Sequence, residues 1–161
     1  MIRAATLEDW PAIWSICAPI IGRADTFSYD PAMEEDAARE MWMVPAPGRT
    51  TVAVDDDGAI VGTANMYANR PGPGAHVASA NYMVAARSRR RGVGRALVED
   101  SVEWAREAGF AAMQFNAVAE SNASAVRLYE QAGFATVGRV PAAFRHPEHG
   151  DVALLVMHRL L

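Results

Sequence analysis

Apolar and polar positions repeat along this chain with two periods, and the switches between them outline a mixed α/β protein. Ile2-Arg3-Ala4-Ala5 alternates as a short first strand. Thr6 or Asp9 then caps a helix in which Trp10, Ile13, Trp14, Cys17, Ile20 and Ile21 keep helical spacing. Pro11 fits its first turn, and Pro19 is expected to bend or end it. A polar-aromatic loop over residues 22–31 leads into a second helix, Ala32 to Met43, which stops before Pro45 and Pro47. Thr50 to Val54 and Ala59 to Tyr67 read as strands joined by the hairpin turn Asp55-Asp56-Asp57-Gly58. Those three aspartates lack the ligand spacing of a calcium loop and read as a solvated turn.

The second half continues the alternation of elements. After a Pro/Gly loop from Arg70 to Gly74 comes an apolar strand, His76 to Ala86. A helix follows with Val93, Leu97, Val102 and Ala105 on one side, and Gly109 ends it. Ala111 to Val118 is a strand, Asn122 to Ala132 a helix, and Ala135 to Val140 and Asp151 to His158 are the last strands, separated by a long loop over 141–150. The predicted order is βααβββαβαββ, with no internal repeat and no linker, so residues 1–161 read as one domain.

Chemistry concentrates at the turn Arg87-Ser88-Arg89-Arg90-Arg91-Gly92-Val93-Gly94-Arg95-Ala96-Leu97, between the fourth predicted strand and the helix after it. The first N–H groups of a helix have no partner inside it, and its N-terminal end carries a positive partial charge. Gly92 and Gly94 leave no side chain in the way, so the stretch can cradle an anionic phosphate. Neither the dinucleotide pattern G-x-G-x-x-G nor the P-loop is present. Downstream, Asn122-Ala123-Ser124-Ala125-Val126-Arg127-Leu128-Tyr129-Glu130-Gln131-Ala132-Gly133-Phe134 is a self-consistent helix. Asn122 suits its N-cap, and Ala125, Leu128, Tyr129 and Ala132 form its apolar face. Gly133 suits the left-handed position past its end, with Phe134 folding back.

Together these two stretches resemble the signatures of the GNAT acetyltransferases: R/Q-x-x-G-x-G/A, read as Arg89-x-x-Gly92-x-Gly94, and N-x-x-A-x-x-L-Y-x-x-x-G-F, matched at every fixed position from Asn122 to Phe134. The resemblance is strong over 76–134 and extends elsewhere by element order. It implies the GNAT fold: a mixed central sheet of six to seven strands, splayed at its middle and flanked by four helices. It also implies acetyl-CoA as co-substrate. The pyrophosphate is expected on the amides of Arg91, Gly92, Val93, Gly94, Arg95 and Ala96, with Arg89 and Arg90 beside it. The pantetheine arm is expected along Tyr82, Met83, Val84 and Ala86, with a main-chain N–H near Val84 facing the thioester oxygen. Asn122 would contact the arm, and Tyr129 matches the family's general acid, which protonates the departing thiolate. From spacing alone Tyr129 reads as core; its L-Y-x-x-x-G-F context reverses that reading.

Composition narrows the alternatives. The net charge is −4, yet Arg87, Arg89, Arg90, Arg91 and Arg95 crowd nine positions. A nucleic-acid patch is a poor fit, because the remaining chain is acidic and carries no basic tail or aromatic stacking module. One multiply charged small ligand explains the cluster better. No apolar run approaches a membrane span and the first residues begin a folded pattern, so a cytoplasmic protein without membrane association is expected. Cys17 is the sole cysteine, among apolar neighbours, and reads as a buried structural thiol. No metal cluster is expected.

The acceptor side is less defined. Asn116, an amide inside an apolar strand, must be hydrogen-bonded. It satisfies either a neighbouring strand or, as F-N-A-V followed by x-x-x-N resembles the proline-analogue acetyltransferase subgroup, the acceptor. Loop residues Asp25, Thr26, Phe27 and Tyr29, and Arg145 in the 141–150 loop, are the candidates for the acceptor pocket, Asp25 for an ammonium and Arg145 for a carboxylate. Many family members carry a glutamate base on the central strand, whereas Ala78-Ser79-Ala80-Asn81-Tyr82 has no carboxylate; His76, Glu120 or a water chain are the alternatives. An α-amine with a pKa near 8 is about one-tenth free at pH 7, whereas a lysine amine near 10.4 is free in about one part in 2,500. A small amine, an amino acid or amino-acid-like toxin such as phosphinothricin, is therefore the expected acceptor, by direct attack. A noncatalytic acetyl-CoA sensor and a protein-directed acetyltransferase are the rival readings. Homodimers are common in the family, though no stretch marks an interface.

Overall fold

A computed structural model describes residues 1–161. The observed elements are β1 (Ile2–Ala4), α1 (Trp10–Arg23), α2 (Glu35–Trp42), β2 (Arg49–Val54), β3 (Ile60–Ala68), β4 (Val77–Val84), α3 (Val93–Glu107), β5 (Ala112–Ala119), α4 (Ala123–Gln131), β6 (Ala135–His146) and β7 (Gly150–Leu160). The order is the one read from the hydrophobic pattern. Seven strands form one sheet in the order β1-β2-β3-β4-β5-β7-β6, mixed because β4 and β5 run parallel while every other pair is antiparallel. No helix is long and apolar enough to cross a membrane.

Two apolar layers cover the sheet. On one face α3 and α4 bury Leu97, Val98, Val102 and Ala105 against Ala64, Met66, Met113 and Phe115. On the other, α1 and α2 bury Ile13, Ile16, Cys17 and Trp42 against Val52 and Met83. Burial pushes the Cys17 thiol up to about 12, in keeping with a structural role.

The sheet opens at its centre. β4 pairs with β5 only at Val77 with Ala112 and Ala78 with Met113. Beyond those residues the strands diverge, and the edges they leave without strand partners face each other across a wedge.

Three sequence expectations are corrected. Pro19 does not end the first helix: buried Ile20 and Ile21 carry it on to Arg23, where Ala24 takes the left-handed conformation (φ 51°). The second helix starts at Glu35 rather than Ala32, after a turn in which the Asp30 carboxylate accepts from the Ala32 amide. The stretch 141–150 is not a long loop but the end of a hairpin. β6 reaches His146, its ladder interrupted between Val140 and Phe144 and resumed by Phe144 with Val152, Arg145 with Asp151 and His146 with Gly150. Pro141, which cannot donate to a ladder, falls in that bulge on the outermost strand. The turn closes through the His146 ring, whose Nδ1 accepts from the amides of Glu148 and His149 at 3.1 and 3.2 Å. The aspartate turn is as expected: Asp55 Oδ1 accepts from the amides of Asp57 and Ala59.

Candidate active site

A cleft of about 800 Å³ runs through the wedge between β4 and β5, from the end of α1 to the start of α3. At the α3 end, none of the amides of residues 90–95 donates to an acceptor within the protein; the first helical bond is from Ala96 N–H to Gly92 O, 3.0 Å. Gly92 makes this geometry possible, since its φ of 81° places it in the left-handed region where a side chain is strained. A Cβ on Gly94 would already meet Leu128 Cδ2 at 3.4 Å. Six unsatisfied N–H groups at a helix N-terminus suit an anion with several oxygens. Charge agrees: four arginines line the cleft (Arg23, Arg89, Arg90 and Arg95) against one carboxylate, Asp25, in a protein of net charge −4.

The β4 edge supplies the next set of donors. Ala85 N–H bonds Val61 O at 2.9 Å, so it points toward β3. Amides alternate in direction along a strand, which turns those of Tyr82 and Val84 toward the wedge. The opposite wall comes from β5, whose pairing with β7 slips between Phe115 and Val118 and leaves Asn116 and Ala117 in a bulge facing the cleft.

Tyr129 closes the cleft from α4. Its ring packs on Phe115 at 4.5 Å and lies 6.0 Å from Tyr82, while Phe115 stacks on Phe134 at 4.4 Å. Gly133 (φ 86°) turns the chain so that Phe134 N–H reaches Tyr129 O, 3.0 Å, and Phe134 is buried. The Tyr129 hydroxyl has no hydrogen-bond partner in the protein, and burial raises its pKa above the ordinary phenol value, so it stays protonated at neutral pH. Tyr82 differs: its hydroxyl is 2.5 Å from Ser101 Oγ, which in turn bonds Val98 O.

Most of the residues singled out from the sequence line this one cleft: Tyr82, Met83 and Val84; Arg89, Arg90, Gly92, Gly94 and Arg95; Asn116, Asn122 and Tyr129; and Asp25, Thr26, Phe27 and Tyr29. Five do not. Ala86 and Arg91 are exposed outside it, Val93 turns toward Gly62, and the Ala96 amide is used by the helix. Arg145 lies on the β6–β7 hairpin, its side chain 87% exposed and paired with Asp151 at 3.0 Å. Asn122 is an N-cap, its Oδ1 accepting from Ala125 N–H at 3.3 Å. The alternative bases are elsewhere as well: His76 bonds Pro73 O, and Glu120 is held by Arg139 at 2.7 Å.

Asn116 is satisfied by side chains: its Nδ2 donates to Asn69 Oδ1 at 2.5 Å, and its Oδ1 accepts from Gln114 Nε2 at 2.9 Å. Sequence reasoning missed Asn69, Arg23, Tyr67, Ser79 and Asn81. Asn65 and Asn81 carried the signal used for Asn116, an amide within an apolar strand, and it was not applied to them.

A free-amide cradle, an opened sheet and a tyrosine at the wedge define the chain as a GNAT-type α/β protein. The Acetyltransferase (GNAT) family model matches residues 7–134, most of the chain, and the chain belongs to that family. It is 55% identical to a GCN5-related N-acetyltransferase from Kribbella flavida of known structure, with a TM-score of 0.97 over 100% of this chain and 97% of that one. It shares its fold with a phosphinothricin acetyltransferase from Sinorhizobium meliloti solved in complex with AcCoA (21% identity, TM-score 0.90, 100% and 88% covered). Among curated proteins it resembles N-acetyltransferase aca1 of Schizosaccharomyces pombe, 30% identical over 105 residues, 65% of this chain. That alignment spans only 50% of the length of the yeast protein.

Proposed function

We propose that this protein is an N-acetyltransferase that moves an acetyl group from acetyl-CoA to the amine of a small molecule, an amino acid or amino-acid-like compound, by direct attack. The observation that carries the reading is the run of six unpartnered amides, 90–95, at one end of a cleft whose wall carries the Tyr129 hydroxyl. The residues present fit acetyl-CoA. The amides of 90–95 with Arg89, Arg90 and Arg95 would hold its phosphates, and the outward amides of Tyr82 and Val84 would hold its arm. When bound, acetyl-CoA supplies an activated acyl carbon and a thiol leaving group.

The protein's own contributions follow from geometry. The Val84 amide would stabilise negative charge developing on the acyl oxygen, a role in which one fixed donor is worth about 10²–10³ in rate. Tyr129, protonated and unbonded, would give its proton to the leaving sulfur. The acceptor would enter from the α1 side past Asp25, Phe27 and Tyr29, where Phe27 and Tyr29 stack at 5.2 Å. We place the activity in a single domain spanning 1–161, in the cytoplasm, with a homodimer as the assembly.

The test is thiol release from acetyl-CoA against free amino acids, proline analogues, phosphinothricin, polyamines and lysine peptides, with Tyr129→Phe alongside. Release stimulated by one small amine and lost in the variant supports the reading. Tight CoA binding with no responding amine favours a noncatalytic acetyl-CoA sensor, and response to peptides alone favours a protein-directed enzyme.

A further inference from the structure

The cleft wall contains a chain of side-chain amides whose direction can be worked out. Asn65, 1% exposed on β3, reaches the carbonyls of Met41 (3.4 Å) and Trp42 (3.3 Å) at the end of α2. Carbonyls only accept, so the Asn65 NH₂ must face them and its Oδ1 must face the other way, toward β4. There it accepts from Asn81 Nδ2 at 3.0 Å, and the second Nδ2 hydrogen of Asn81 goes to the Tyr67 hydroxyl oxygen, also 3.0 Å. Both donors of Asn81 are thereby used. Its two bonds both use Nδ2, leaving Oδ1 without a partner in the protein, and the residue lines the same cleft as the Asp25–Tyr29 loop.

We propose that Asn81 Oδ1 receives an N–H of the acceptor amine, and that this neutral group makes the site select the acceptor in its uncharged form. The inference rests on the acetyl-transfer reading above. Asn81 is held at both Nδ2 hydrogens by a part-buried network anchored on buried Asn65, so it needs no reorganisation to accept a hydrogen bond. An amide oxygen orients an amine but neither holds a full positive charge nor removes a proton.

The surrounding groups agree. Facing Asn81 are Tyr67 from β3 and Tyr29 from the loop after α1, whose phenol burial pushes up. Asp25 is engaged by Arg23 at 3.1 Å. Next to Asn81 on β4 is Tyr82 and on α4 stands Tyr129, both phenols raised by burial, and the same cleft is lined by Arg89, Arg90 and Arg95. The one carboxylate lining the cleft is Asp25 and no histidine lines it, so the cleft has no imidazole, the side chain that ordinarily titrates between pH 6 and 8.

The acceptor therefore sheds its ammonium proton to water before attack. The nitrogen lone pair forms the N–C bond as the C–S bond breaks, and the bonding pair leaves on sulfur, which takes the Tyr129 proton. The surplus proton on nitrogen, oriented by Asn81, passes to water, and water reprotonates Tyr129.

The experiment uses the panel amines that support thiol release, comparing wild type, Asn81→Ala and the isosteric Asn81→Asp. In wild type, log kcat/KM for the amine should rise with unit slope and level off at the pKa of whichever amine is used. Asn81→Ala should lower kcat/KM for the amine by about 10- to 100-fold, as expected when a desolvated donor loses its partner, with KM for acetyl-CoA within about twofold. Asn81→Asp, with a carboxylate in the same place, should add a lower inflection to the profile. A plateau at one fixed pH for all amines, or an unchanged kcat/KM in Asn81→Ala, overturns the inference alone. No release from any amine in wild type removes the acetyl-transfer reading and this inference with it.

Discussion

The ring of Tyr129 lies 4.5 Å from that of Phe115, tilted by 46°, and this contact rather than any hydrogen bond holds the phenol in the wedge. Packing positions the ring, while the hydroxyl is left without a protein partner. A tyrosine placed this way is pre-oriented without its proton being committed elsewhere.

Tyr129→Phe should therefore leave stability within about 0.5 kcal/mol, since no protein hydrogen bond is lost. It should lower kcat by about 10²–10⁴, the usual contribution of a positioned general acid. The two effects separate in one urea titration and one thiol-release assay. The pH dependence has a definite sign. The raised pKa keeps Tyr129 protonated through neutral pH, so its role declines only as pH rises beyond the ordinary phenol range, and it adds no inflection on the acid side.

Arg145 gives the opposite expectation. Its guanidinium is solvent-exposed on the hairpin and paired only with Asp151, and exposed pairs of this kind are screened by water. Arg145→Ala should leave the thermal midpoint unchanged and kcat/KM for the acceptor within about twofold. A tenfold loss would restore it to the acceptor pocket.

The contrast between these residues shows what was legible in the sequence. The cradle and the Tyr129 helix are local: periodicity, an N-cap at Asn122 and left-handed glycines at 92 and 133 are written within a dozen residues. Arg145 was read on a loop because strand pairing is nonlocal. Pro141 and a run of small residues read as loop, and only the ladder with β7 shows the chain remaining extended to His146. The Asn65–Asn81–Tyr67 network was hidden for the same reason, since its direction comes from carbonyls of α2, some 24 residues before Asn65 in sequence.

Asp9 supports a prediction for acid stability. Arg3 grips its carboxylate with two bonds of 2.7 Å, and the Thr6 amide donates to it at 2.8 Å. These bonds, the arginine pair foremost, hold the carboxyl well below the usual aspartate range. A depressed folded pKa means stability that is fully present above the unfolded value, near pH 4, and lost as pH falls toward the folded one. Asp9→Asn should cost about 1 kcal/mol at pH 7 through the weakened helix start. Its deficit relative to wild type should shrink as urea titrations are repeated below pH 4, and a deficit that stays constant with pH would exclude the linkage.

Gly62 tests how the cradle depends on the sheet beneath it. A Cβ built there would lie 2.8 Å from Val93 Cγ1 and 3.1 Å from Leu97 Cδ1, and Val93 is the first residue of α3, directly after Gly92. A valine in a helix has little χ1 freedom, and Leu97 is fully buried, so neither can step aside cheaply. Gly62→Ala should therefore lift the start of α3 from β3, at a cost of about 1–3 kcal/mol from overpacking. The unpartnered amides of 90–95 would move with it relative to the Tyr82–Val84 edge, so KM for acetyl-CoA should rise while KM for the amine changes little. Adding Val93→Ala removes the nearer clash. The double variant should then recover most of the acetyl-CoA affinity, which a general loss of stability would not allow.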